Sequence, residues 1–124
     1  MTNRILPETL PALYRKHDVV PIQQDYCQLP AAWEEFAPCA CGLGISYRDA
    51  MGVWPDPQCF PETVAGPLGL SAAYHLGYHH GFDGLRNLQH YMDDQSLESQ
   101  ADYDQGYRDG AAGWQAVKDM AVTG

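Results

Sequence analysis

Residues 74–84 read YHLGYHHGFDG and residues 103–113 read YDQGYRDGAAG, so the pattern YxxGYxxGxxG occurs twice at an offset of 29 residues. Tyr74, Gly77, Tyr78, Gly81 and Gly84 recur as Tyr103, Gly106, Tyr107, Gly110 and Gly113. A repeat of this kind constrains the fold before any other signal does. At ~100° per residue, Gly77, Gly81 and Gly84 share one helical stripe, with Tyr74 and Tyr78 along its flank. Gly106, Gly110 and Gly113 line up with Val117 in the second copy, flanked by Tyr103, Tyr107 and Trp114. An interior helical glycine costs about 1 kcal/mol relative to alanine, so three per copy need compensation. Close approach of two backbones supplies it, because glycine puts no side chain between them. The expectation is a mainly α protein whose two long C-terminal helices pack as an antiparallel hairpin through these glycine faces.

Two other readings of the stretch fail on their own terms. Asp83-Gly84 and Asp109-Gly110 signal hairpin turns only between alternating apolar residues, and the flanks here do not alternate. His75, His79, His80, Asp83 and Arg86 interrupt any apolar run of the ~20 residues that a membrane span needs. Asp93, Asp94, Gln95 and Ser96 supply the break between the helices, with Ser96 as N-cap and Ser99 in the first turn.

Working outward, the 124 residues make a single domain, 1–124, by the usual size prior. Its composition changes near residue 66: eight of nine prolines and all four cysteines precede that point, and none of either follows Pro67. Residues 1–66 therefore read as an irregular region of short helices and loops packed on the hairpin of 67–124. Pro7 to His17 reads as an amphipathic helix with Leu10, Leu13 and Tyr14 on one face, and Val19 to Tyr26 as an extended segment. Pro30 to Phe36 has proline at a helix start, and Cys39 to Met51 carries Leu43, Tyr47 and Met51 at helical spacing despite Gly42 and Gly44. Trp54 to Gly69 is a proline-rich loop, anchored through Trp54, Phe60 and Val64.

Sixteen acidic side chains face seven Lys and Arg, for a net charge of −9. Both halves are acidic, with eight acidic against four basic side chains in 1–70 and eight against three in 71–124. Direct binding to nucleic-acid phosphates, which rests on cationic side chains releasing counterions, is disfavoured. A protein partner, nucleic-acid mimicry or simple solubility fits the charge, and the glycine stripes could alternatively meet across a homodimer axis. The first ten residues lack the apolar run of a secretory signal, so a cytoplasmic setting is expected, where thiols stay reduced.

Chemistry is sparse. Cys27, Cys39, Cys41 and Cys59 give the four thiols of a closed tetrahedral zinc site, although the paired CxxC spacing of zinc knuckles is missing. Residues two apart on a helix point ~200° apart, so Cys39 and Cys41 could not share an ion if a helix began at Cys39. Buried, unreactive thiols are the favoured reading, and a disulfide between two of the four is a third. His75, His79 and Asp83 fall at i, i+4 and i+8, with Arg86 and His90 near the same stripe, and HxxxH can present two imidazoles to one ion. The protease motif HExxH is not met, since residue 76 is Leu. This stripe lies opposite the glycine face and reads as solvated, as do its equivalents in the second copy, Asp104 and Arg108. Accordingly, Gly81→Leu or Gly110→Leu is expected to destabilise far more than a leucine at His79. Ser46 and Ser71 lack a GxSxG frame, and Gly42-Leu43-Gly44 falls short of a phosphate loop.

The sequence Gly77-Tyr78-x-x-Gly81-x-x-Gly84, followed by Tyr103-x-x-Gly106-Tyr107-x-x-Gly110, resembles the ribosome modulation factor family over about residues 71–120. These small bacterial proteins pair a GYxxGxxG helix with a WxxGW helix. The resemblance implies a helical hairpin and, for the family, binding to ribosomal RNA that promotes ribosome dimers in dormancy. Tyr103 and Tyr107 stand where the family commonly has tryptophan, and Arg86, Arg108 and Lys118 are the basic residues of this half, so the fold carries over and the RNA site does not. Three functions are left open: a small acidic non-enzymatic protein-interaction or regulatory module, a ribosome-associated or nucleic-acid-mimicking regulator, and a zinc-binding module using the cysteines.

Overall fold

A computed structural model describes residues 3–21, 40–55, 59–84 and 97–123. The described residues hold five helices and no strand: α1 (Leu10–Lys16), α2 (Gly42–Met51), α3 (Gly66–Leu68), α4 (Ala72–Asp83) and α5 (Leu97–Thr123). Short turns over Pro7–Thr9 and Pro61–Ala65 lead into α1 and α3. The protein is mainly α, and α4 and α5 pack on each other through the glycine faces of the repeat.

The glycines specify that packing in detail. A Cβ placed on Gly77 would lie 2.2 Å from the Tyr103 carbonyl oxygen, and one on Gly81 2.1 Å from that of Tyr107. Reciprocally, a Cβ on Gly106 would lie 2.2 Å from the Tyr74 oxygen, and one on Gly110 2.3 Å from that of Tyr78. Each of these four glycines thus meets the backbone carbonyl of a tyrosine in the other copy, as a two-fold axis relating residue i to residue i+29 requires. Backbone cannot give way as a flexible side chain can, so no residue but glycine fits at these four positions.

The same contacts correct the expected direction of the pair. One turn up α4, from Gly77 to Gly81, corresponds to one turn up α5, from Tyr103 to Tyr107. In an antiparallel pair those two partners would be displaced by about two turns, ~11 Å, so α4 and α5 run parallel. Gly77/Gly81 and Gly106/Gly110 are both GxxxG pairs, and a two-fold along the helix axes is how such pairs pack in parallel. Covalent geometry permits it. The 13 residue steps from Gly84 to Leu97 can reach ~40 Å, and retracing a 12-residue helix needs ~18 Å.

The third glycine of each copy departs from the stripe. Gly84 is exposed and takes a left-handed φ of 76° to end α4, its N–H donating to the Gly81 and His80 carbonyls, a role glycine fills without steric penalty. It therefore does not pack between the helices as expected. Gly113 is buried in the continuing α5, but faces the Leu10 side chain and the Tyr78 hydroxyl rather than backbone. Gly42 and Gly113 together leave room for the fully buried Tyr78 ring, since a Cβ on Gly42 would sit 2.3 Å from its hydroxyl.

The N-terminal region wraps the pair so closely that most of α4 is buried, from Tyr74 to Phe82 with only Leu76 half-exposed. Leu10 and Tyr14 of α1, Leu43 and Ile45 of α2, and Val64, Ala65 and Leu70 form one core with Tyr74, Tyr78, Phe82 and Val117. Tyr14 donates to the Ala40 carbonyl at 2.6 Å, and Phe82 meets Trp114 edge-on at 5.4 Å between ring centres. His75, His79 and His80 are all buried. The expected solvated stripe is thus overturned, because the N-terminal region covers the face that lies in water in the second copy.

Smaller expectations also shift. The helix expected from Cys39 begins at Gly42, after Cys41, and the stretch expected to be a loop contains the turn at Pro61–Ala65 and the short helix α3. Val64 is buried and Trp54 packs against the core, whereas Phe60 is 38% exposed. Residues 19–21 are irregular. The rest of the segment expected to be extended, the helix expected over 30–36 and the N-cap expected at Ser96 lie outside the described residues.

Candidate metal centre

Three side chains from separate parts of the chain converge in the core. Cys41 caps the N-terminus of α2 with extended backbone, and its sulfur accepts the Gly44 N–H at 3.4 Å, the place usually held by a serine or aspartate oxygen. Cys59 precedes the turn at Pro61–Ala65 and is fully buried. His79 projects from α4 on the side opposite Gly77 and Gly81 and is 5% exposed. One ligand atom from each of the three lies within 4.8 Å of the others.

The Cys41 and Cys59 sulfurs are 3.2 Å apart, and the Cys59 sulfur is 3.5 Å from His79 Nε2. A disulfide would need about 2.05 Å. With Zn–S of about 2.3 Å and Zn–N of about 2.0 Å, a tetrahedral site has S···S and S···N edges of about 3.8 and 3.5 Å. The Cys59–His79 edge is already at that length, the sulfur pair reaches its own by opening about half an ångström, and Cys41 lies within 4.8 Å of His79. His79 Nε2 also lies 3.1 Å from the Cys59 carbonyl oxygen. Next to it, the His75 ring packs edge-on against that of His79 with centres 4.8 Å apart, and His75 is fully buried.

This arrangement suits a held ion better than a nucleophile. Cys59 and His79 are spaced like a thiol–imidazole pair, yet exposures of 0% and 5% leave a substrate no approach. Of the four cysteines that a zinc site would draw on, Cys41 and Cys59 meet as free, buried thiols, the state favoured for them, while Cys27 and Cys39 lie outside the described residues. His79 joins them from the stripe read as solvated. Its HxxxH spacing was the available signal; its proximity to Cys41 and Cys59 depends on tertiary packing that no local motif encodes.

The ten repeat positions occupy the helix pair rather than this centre. Besides the glycines, Tyr74 and Tyr103 are buried and hydrogen-bonded, Tyr78 is buried, and Tyr107 is partly exposed. His80 Nδ1 and the Tyr103 hydroxyl form a hydrogen bond across the pair.

A second polar cluster ties down the N-terminal segment. Arg4 donates to both Asp109 carboxylate oxygens, at 3.0 and 2.9 Å. The Tyr74 hydroxyl donates to Asp109 at 2.5 Å and accepts the Ile5 N–H at 2.8 Å, while Gln105 donates to Asp109 at 2.9 Å. Burial pushes the Asp109 carboxyl up, but the hydrogen bonds from Arg4, Tyr74 and Gln105 outweigh it and leave the group below its ordinary value. Burial, then the bond to Asp109, pushes the Tyr74 phenol up. Asp49 is lowered first by the hydrogen bond from Lys16 and then by that from His17, in an exposed cluster between α1 and α2.

Compared with protein-family models, curated proteins and solved structures, the chain finds no match. No helix among the described residues is long and apolar enough to cross a membrane.

Proposed function

We propose that the protein is a small non-enzymatic interaction module whose irregular N-terminal region is fastened to the helix pair by a structural transition-metal ion, with zinc the fitting choice. The observation that carries this reading is the convergence of Cys41, Cys59 and His79 within 4.8 Å, all buried and from three separate parts of the chain. Two thiolates and an imidazole are soft and borderline donors that suit zinc. An ion held there would contribute directly to folding stability. The outer face of α5, with Asp104, Arg108 and Asp119 exposed, and the overall charge of −9 leave an acidic surface for a partner protein. Elemental analysis of untagged protein tests the proposal. About one zinc per chain is expected, and less than ~0.3 would defeat it, since structural sites stay fully occupied.

The second reading is a ribosome-associated or nucleic-acid-mimicking regulator, supported by the glycine-packed helix pair at the positions of the family resemblance. Co-sedimentation with ribosomes at low and high salt tests it, and no association at either salt removes it.

A further inference from the structure

We infer that His75 is the fourth ligand, so that the centre is a Cys2His2 site built from Cys41, Cys59, His75 and His79 rather than a four-cysteine site. The inference rests on the metal-binding reading above and fixes its ligand set.

A structural zinc site closes with four ligands, and three are in place. His75 and His79 stand one turn apart on the same side of α4, the HxxxH spacing that presents two imidazoles to one ion. Their rings are already in contact, and His75 is fully buried. The trio within 4.8 Å comprises Cys41, Cys59 and His79, and His75 would complete it by turning its side chain so that a ring nitrogen faces the ion. The helix itself need not move. Its opposite face is locked against α5 by glycine-to-carbonyl contacts.

Charge favours the same set. Two thiolates and two neutral imidazoles around a divalent ion sum to zero, whereas three or four thiolates leave one or two negative charges in the core. Uncompensated charge is costly there, and more so in a chain that already carries −9. The set also accounts for a difference between the two copies of the repeat. The positions matching His75 and His79 are Asp104 and Arg108 on α5, both exposed.

Titrating the metal-free full-length protein with Co(II) tests the inference, because ligand-field bands report tetrahedral geometry and thiolate-to-cobalt charge transfer counts the sulfurs. The wild type and a Cys27→Ser/Cys39→Ser double variant should give the same tetrahedral spectrum with two-thiolate intensity. His75→Ala should lose the four-ligand spectrum and bind Co(II) at least tenfold more weakly. Because His75→Ala empties a buried position, His75→Cys provides the second arm: its charge-transfer band should rise in proportion to a third thiolate, which requires position 75 to reach the ion, and an unchanged band would count against the ligand set. A tetrahedral spectrum that survives His75→Ala but is lost in the double cysteine variant would overturn the ligand set while leaving metal binding intact. Absence of any Co(II) spectrum in the wild type would overturn the metal reading itself.

Discussion

The two copies of YxxGYxxGxxG share a packing face and differ on the side turned away from it. On α4 the sequence between the glycines is His-rich, and the helix is enclosed by α5 on one side and by the N-terminal region on the other. On α5 the matching positions hold Asp104 and Arg108, and the outer face is open to solvent. The repeat therefore dictates one face of each helix, and the opposite face is set by whatever else the chain supplies. Extending the exposure of the second copy to the first is what misplaces His75 and His79 in a reading of sequence alone.

The sharpest way to break this comparison is at the shared face. Gly81→Leu and Gly110→Leu should each destabilise by more than about 3 kcal/mol, beyond ordinary overpacking because the obstacle is a carbonyl group on a locked helix. Urea denaturation checks it, and near-neutral behaviour of either would show that the backbones do not touch. Gly113→Ala, whose added carbon meets only the ends of Leu10 and Tyr78, should cost clearly less than Gly110→Ala.

The faces that differ should respond differently. A leucine at His79 should cost at least about 2 kcal/mol, against within about 0.5 kcal/mol for Arg108→Leu, its exposed counterpart. Equal losses in thermal denaturation would contradict the burial of α4.

A smaller effect is expected at Asp109, which matches His80 of the first copy and, like it, bonds the leading tyrosine of the other copy. Asp109→Asn should cost about 1–2 kcal/mol, reduced from a fully buried pair because the Arg4 side chain is 47% exposed. The pH dependence has a defined sign. Folding lowers the Asp109 pKa, so its contribution is complete above the ordinary carboxyl range and disappears as pH falls through the depressed value. Wild type and Asp109→Asn should converge in acid, as chemical denaturation at several pH values would show. Smallest of all, Lys16→Ala removes an exposed partner of Asp49 and should change stability by about 0–1 kcal/mol.

What was legible in the sequence follows from what is local. The helices, their glycine faces and the flanking tyrosines were readable because each depends on spacing along one segment. The parallel direction was not, since the spacing within one helix carries no information on the direction of its partner, and an antiparallel hairpin is the ordinary expectation for neighbouring helices. Gly84 shares the stripe arithmetically, but α4 ends there. Cys41 and Cys59 are 18 residues apart without a knuckle motif, and only the fold brings them to His79. The polar cluster at Asp109 was also missed. Arg4 lies 105 residues away from it, and no sequence signal links them.

The reciprocal contact between the copies has one more consequence. Two separate helices carrying this face would associate only as their concentration allowed. Joined by a short connection, each sees the other at an effective concentration in the millimolar range or above, so the pair forms at any dilution and its unfolding midpoint should not depend on how much protein is present.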